Sequence, residues 1–186
     1  GEVVAALAPR AASAAAAALA LELGAFIGYT AARLATVGQS RVLSVECDPV
    51  HVAVARHFLD RARAAGLAEV QPGMVRDVVA LPVELFGWYA AGLVFMDQKG
   101  TDFHMDHALL QRCRSWGPSS ARHRAAGVLA DNVLRPGAPL YVWSLAQLSS
   151  VQAPLTGADV VTLWSLPEFL EEHAGVEDWM SLVCPA

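Results

Sequence analysis

The chain has 186 residues, 55% of them apolar and 17% charged, enough for one domain that buries a substantial core and does not stay disordered. Its formal charge of −5 at pH 7 argues against a nucleic-acid partner, because phosphate binding needs a clustered excess of basic charge. Cys47, Cys113 and Cys184 are odd in number and far apart, so they suggest neither a disulfide framework nor a zinc site and fit a reducing, cytoplasmic setting.

The first apolar segment, AASAAAAALALELGAF, is mostly alanine and meets Glu22 well short of the ~20 residues a membrane span needs. It reads as a helix running into a buried strand. The chain opens at Gly1 without an initiator methionine, so it reads as a fragment whose upstream elements, and any address signal among them, are missing. Further along, short apolar runs alternate with helical patterns, the signature of a parallel sheet wrapped by helices. The strand candidates are ALALEL, RVLSVE, GLVFMD and GVLADN, with VVTLW and MSLVC less sharply marked and AEVQPG shortened by its proline. GYTAARLATVG predicts a short helix closed by Gly38. DPVHVAVARHFLDRARAAG predicts a longer one, capped by Asp48, started by Pro49 and ended by Gly66. QRCRSWGPSSARHRAAG gathers Arg112, Arg114, Arg122, His123 and Arg124 around Gly117 and Pro118; a solvated surface loop is expected rather than a patch for an anionic partner. No repeat is visible. The fold expected is a single α/β domain over residues 1–186, doubly wound, with a mostly parallel sheet and helices on both faces.

Chemistry-bearing residues fall at the strand ends. Gly24 and Gly28 sit where the first strand becomes a helix, and glycine there lets a ligand approach the main chain. The spacing is not the dinucleotide fingerprint, and an ordinary strand-to-helix turn explains it equally well. Glu46 ends the next strand, 24 residues after Glu22, an offset that suits a carboxylate holding ribose hydroxyls. Asp97 ends GLVFMD, while Asp131 and Asn132 end GVLADN. In an open parallel sheet these tips share one edge, where two carboxylates and a carboxamide suit Mg²⁺. Singly, Asp97 could cap a helix, and Asp131-Asn132 could be turn chemistry. His104 and His107, in HMDH, lack further ligands nearby and are expected to be solvated, as are His51 and His57 on their helix.

With these residues in order, the chain resembles the catechol O-methyltransferase family. LELGAFIGYTA, SVECDP, VFMD, LADNVLRPGAP and EFLEE carry the likeness, which runs along nearly the whole chain. The resemblance implies a doubly wound fold that moves a methyl group from S-adenosylmethionine to one hydroxyl of a catechol-type acceptor, a small phenolic substrate, with Mg²⁺ holding both oxygens. It places Glu22, Gly24, Phe26 and Thr30 on the cofactor turn, Glu46 on the ribose with Cys47 beside it, and Gln98 at the adenine side. It assigns Asp97, Asp131 and Asn132 to the metal, Asn132 and Pro136 also to the substrate side, and Glu171 to the second acceptor hydroxyl. There are departures. The family's catalytic lysine falls on Gly100, Met74, Val75 and Arg76 replace polar cofactor contacts, the arginine-rich stretch is an insertion, and the family's N-terminal helices are absent.

Lys99 is the only lysine in the chain and lies one residue from the family's position. Unlike arginine, lysine can be neutralised by its surroundings and then accept a proton, so Lys99 is the candidate base, with His104 in reserve. The competing role for Lys99 is to lay its methylenes along the adenine. Competing functions are methylation of another vicinal-diol phenol, of caffeoyl or flavonoid type, and a methyltransferase-like module that binds without catalysis.

Overall fold

Alternating burial along the strands sets the architecture. In strand β1 (Leu19–Leu23), Leu21 and Leu23 face one apolar cluster while Ala20 faces another. The same division recurs in β2 (Arg41–Glu46), where Leu43 and Val45 oppose Val42, and in β4 (Ala91–Met96), where Val94 and Met96 oppose Leu93 and Phe95. A strand buried on both sides must be covered by helices on both sides. The computed structural model describes residues 19–80, 91–115, 127–151, 160–167 and 177–184, and within them that cover is present. Helices α1 (Tyr29–Thr36) and α2 (Pro49–Arg61) pack Ala31, Leu34, Val52, Ala55 and Leu59 on one face. Helices α3 (Val75–Ala80), α4 (Phe103–Ser115) and α5 (Pro139–Val151) pack Val78, Phe103, Leu110, Tyr141 and Leu145 on the other.

With β3 (Ala68–Pro72), β5 (Gly127–Ala130), β6 (Val160–Pro167) and β7 (Glu177–Cys184), the sheet has seven strands in the order β3-β2-β1-β4-β5-β7-β6. Pairings from β3 through β5 are parallel, whereas β7 runs antiparallel to both β5 and β6. The chain thus steps outward from β1 to β3 and returns to add β4 on β1's other side. This reversal opens a crevice at the carboxyl ends of β1 and β4, the place where open α/β sheets bind ligands. The antiparallel course of β7 brings its first residues to that same edge.

All the expected strands form, including AEVQPG, which lies at the sheet edge where Pro72 costs no central ladder bond. The helical expectations hold less evenly. As predicted, Asp48 caps α2, its carboxylate accepting from the backbone N–H of Val50 at 2.7 Å and His51 at 3.4 Å. The helix ends at Arg61, however, and not at Gly66. Arg63 turns left-handed at φ 56°, and buried Ala64 accepts from the N–H groups of Leu67 and Ala68, delivering Ala68 to its pairing with Val42. The arginine-rich stretch is also not all loop, since Gln111–Ser115 complete α4; residues 116–126, like the alanine-rich residues before Leu19, lie outside the described residues. Among the described residues no helix is long and apolar enough to cross a membrane.

Candidate functional site at the carboxyl edge of the sheet

The turn after β1 is where backbone freedom is required. Gly24 adopts φ 95°, and a Cβ there would come within 2.8 Å of the Gln98 nitrogen and 2.9 Å of the Asp97 carbonyl oxygen. Only glycine lets the β1 turn lie directly on the end of β4. The turn continues through Phe26, at φ 47° and with its ring exposed, to Gly28, which precedes α1 at φ 83°. The Asp97 N–H donates to the Leu23 carbonyl and the Asp131 N–H to the Met96 carbonyl, each at 2.9 Å, so the parallel ladders run right up to these two acids. Asp97 and Asp131 are therefore carried on adjoining strand tips.

A cavity of about 930 Å³ opens there. Gly24, Phe26, Glu46, Cys47, Asp97, Gln98 and Lys99 line it, seven residues singled out from sequence. Glu46 is anchored from both sides, Oε2 accepting from the Phe26 N–H at 2.8 Å and Oε1 from the Asp48 N–H at 2.9 Å. A carboxylate offers about four acceptor positions, so Glu46 keeps lone pairs for hydroxyl donors in the cavity. Gln98 donates through Nε2 to buried Asp106 at 2.8 Å, which holds its side chain against α4. Lys99 begins the tight turn Gly100–Asp102, is exposed toward the cavity, and makes no ion pair among the described residues.

Other predicted residues lie outside this lining. Glu22 is 1% exposed, enclosed two residues before Gly24, where the Ser44 hydroxyl donates to its carboxyl group. Thr30 is in the first turn of α1. Asp131 and Asn132 continue β5, and Pro136 is exposed in the following turn, Val133–Gly137. Glu171 lies outside the described residues.

The electrostatics of the edge are those of crowded acids. Burial raises the Glu22 carboxyl to about 8, Asp97 and Glu46 adding to the rise and the Ser44 hydrogen bond opposing it. Asp97 opens onto the cavity but is hemmed in by the neighbouring strand tips. Burial first, and then the charge of Asp131, raises it to about 7. Asp131 is raised as well, by burial and by Asp178. Two acids that oppose each other's ionisation are a poor arrangement by themselves and a good one around a cation. No three His, Cys, Asp or Glu side chains cluster as metal ligands among the described residues. The third oxygen available at this tip is an amide, that of Asn132, and the set Asp97, Asp131 and Asn132 fits a hard divalent ion that retains water or substrate oxygens.

Three features escaped the sequence reading. His51, expected as a solvated helix residue, lines the cavity, stacks edge-on against Phe26 at 4.8 Å and sits 3.9 Å from Glu46. Its position one turn after the Asp48 cap was the available signal, since a helix starting at this edge aims its first turn at the crevice. Met105, Leu109 and Arg112 form one face of α4 and also line the cavity, a face visible in their spacing. His107 is not solvated; it is 2% exposed and packs edge-on against Tyr141 at 5.4 Å, because α4 turns that face onto the core. Half-buried His104 lies on the same helix.

Comparison with known proteins bears on the fold and the family likeness. No family model matches the chain. It is 31% identical over 121 residues to a catechol O-methyltransferase of Sus scrofa, an alignment covering 64% of this chain and 62% of that protein. It is 32% identical over 159 residues to a catechol O-methyltransferase of Mycobacterium tuberculosis, covering 84% of this chain and 61% of that one. The chain therefore spans less than two thirds of the length of these relatives. An O-methyltransferase from Bacillus cereus, solved in complex with SAH, superposes with a TM-score of 0.72 at 18% identity, over 100% of this chain and 80% of that one. The fold is thus the Rossmann-like fold of the O-methyltransferases. Within that class, the similarity in sequence is to the catechol O-methyltransferases, the family its motifs resemble.

Proposed function

We propose that the protein is a magnesium-dependent O-methyltransferase that moves a methyl group from S-adenosylmethionine to a hydroxyl of a catechol-type acceptor. One observation carries the proposal: the glycine turn, the anchored Glu46 and the crowded Asp97 share a single cavity at the switch point, beside the strand tip that bears Asp131 and Asn132.

Glu46 orients the ribose through its free lone pairs, the Gly24 turn admits the donor close to the main chain, and Gln98 meets the adenine side, with Phe26 and Cys47 in the same wall. When bound, the donor supplies an electrophilic methyl group: the acceptor oxygen gains the C–O bond and the sulfonium's C–S bond breaks to leave a neutral thioether. Asp97, Asp131 and Asn132 would hold the magnesium ion, which acidifies and orients the two acceptor oxygens. Pro136 and Glu171 belong to the acceptor side. The hydroxyl proton passes to Lys99. Gly100 cannot take that role, and a Cβ on it would meet the Gly137 carbonyl oxygen at 2.8 Å, so no side chain fits at that position on this backbone. The apolar wall of Met105 and Leu109 favours a dry reaction, in which an oxyanion and a sulfonium neutralise each other.

Titration calorimetry with S-adenosylmethionine, with and without Mg²⁺, followed by transfer of labelled methyl to a panel of catechol, caffeoyl and flavonoid acceptors, tests the proposal. Saturable donor binding and magnesium-dependent labelling of vicinal diols are expected. Binding without transfer to any acceptor would instead favour a non-catalytic module, and no binding of either ligand would overturn both.

A further inference from the structure

Asp178, the second residue of β7, is 4% exposed and spends both carboxylate oxygens on the loop that follows β5. Oδ1 accepts from three backbone N–H groups, those of Leu134 at 3.1 Å, Arg135 at 3.0 Å and Trp179 at 2.7 Å. Oδ2 accepts from the side-chain Nδ2 of Asn132 at 2.8 Å. Asn132 itself holds a left-handed backbone, φ 54° and ψ 35°, while its N–H donates to Asp131 Oδ1 at 2.9 Å. The Oδ1 of Asn132 accepts from no described residue.

A carboxamide has one accepting and one donating end, and nothing in Asn132 itself chooses which end faces Asp178. A carboxylate can only accept. Facing Asp178, Asn132 must present its NH₂, which leaves its carbonyl oxygen on the opposite side. We infer that Asp178 is a positioning residue that fixes the orientation of the Asn132 carboxamide, so that an oxygen and not an NH₂ is offered beside Asp131 to a divalent cation. The inference rests on the proposed cation site for its function, but its geometric part does not.

The asymmetry of the four hydrogen bonds makes the test sharp. In Asp178→Asn, three N–H groups hold the remaining oxygen at the Oδ1 position, so the new NH₂ must occupy the Oδ2 position and face Asn132. Asn132 then turns over and aims its own NH₂ at the cation site. Adding Asn132→Asp to that variant reverses the pair and restores the net charge of the wild type. The new carboxylate accepts from the NH₂ of residue 178 with one oxygen and offers the other outward.

The experiment measures Mn²⁺ binding by calorimetry, thermal midpoints without metal, and hydrogen exchange of the Asn132 side-chain NH₂ by ¹⁵N NMR. In the wild type, slow NH₂ exchange is expected. In Asp178→Asn, exchange should be fast and Mn²⁺ affinity about 10–100-fold lower, the usual cost of losing a partner that orients a ligand. The double variant should recover affinity to within a few-fold of wild type. A purely structural role would lower the midpoint in both variants and give no recovery. Unchanged affinity and unchanged NH₂ exchange in Asp178→Asn overturn the inference while leaving the proposed function standing. A wild type that binds no Mn²⁺ but shows the exchange change overturns the cation site and keeps the orientation.

Discussion

Gly24 and Lys99 show how single positions divide between backbone and side-chain roles. Replacing Gly24 by alanine forces a Cβ into a left-handed turn and against the Gln98 nitrogen at 2.8 Å. A loss of about 1–3 kcal/mol in stability is expected from the strain, and donor affinity should fall with it. Urea midpoints and calorimetry on Gly24→Ala measure both, and donor binding equal to wild type would remove the turn from the cofactor site. Lys99 is exposed and unpaired among the described residues, so Lys99→Met should leave the fold and the binding of donor and cation intact. Turnover should fall about 10²–10⁴-fold if this amine takes the proton. Near-normal turnover with both ligands bound would pass the role to His104 or to solvent. At this scale the sequence singles out Glu46, Asp97 and Lys99, each of which follows or ends an apolar run and each of which lines the cavity. It concealed His51, whose place in the cavity depends on Phe26 arriving from another turn.

The elements were legible where their signals are local. Asp48-Pro49 starts α2 because a carboxylate and a pre-set φ satisfy the first turn without help from elsewhere. Asp48→Ala should cost about 1 kcal/mol, read as a lower urea midpoint. The Asp48 backbone N–H, which donates to Glu46, survives that change, so ribose-side binding should weaken less than stability. A midpoint equal to wild type would show that the helix start is held by tertiary packing. The end of α2 was misread because Gly66 is a generic stop, while the actual stop is imposed by the register of β3 against β2. For the same reason the burial of His107 could not be read from HMDH: its spacing is that of any helix face, and only the position of Tyr141 on α5 decides which face is inward.

For the molecule as a whole, the carboxyl edge concentrates acids whose protons the fold retains. Glu22 ionises at about 8 in the folded chain against an ordinary 4.5. Between those values the folded state keeps a proton that the unfolded state has released. The corresponding stability is complete below the unfolded value and is lost as pH rises through the folded one. Asp97, raised to about 7, acts in the same direction. Without added cation the protein should therefore unfold more easily at about pH 9 than at about pH 5, with Glu22 contributing on the order of a few kcal/mol to the difference. Glu22→Gln, which mimics the protonated acid, should flatten that profile and raise the midpoint on the alkaline side. A variant with the wild-type slope would show that Glu22 is not the group that titrates. Added Mg²⁺ should recover alkaline stability through the Asp97 and Asp131 pair if these acids hold it.

The sequence by itself determined the strands, the helix starts and the acids at the strand ends, because hydrophobic period, capping chemistry and glycine freedom act within a few residues along the chain. Its motifs also carried the likeness to the catechol O-methyltransferases. Only the tertiary structure decided that β7 runs antiparallel and sets Asp178 beneath Asn132, that Gly100 is closed off by Gly137, and that His51 joins Glu46. Those outcomes depend on which distant segments meet at one edge. Such meetings are settled by burying both faces of the sheet together, and no local pattern encodes them.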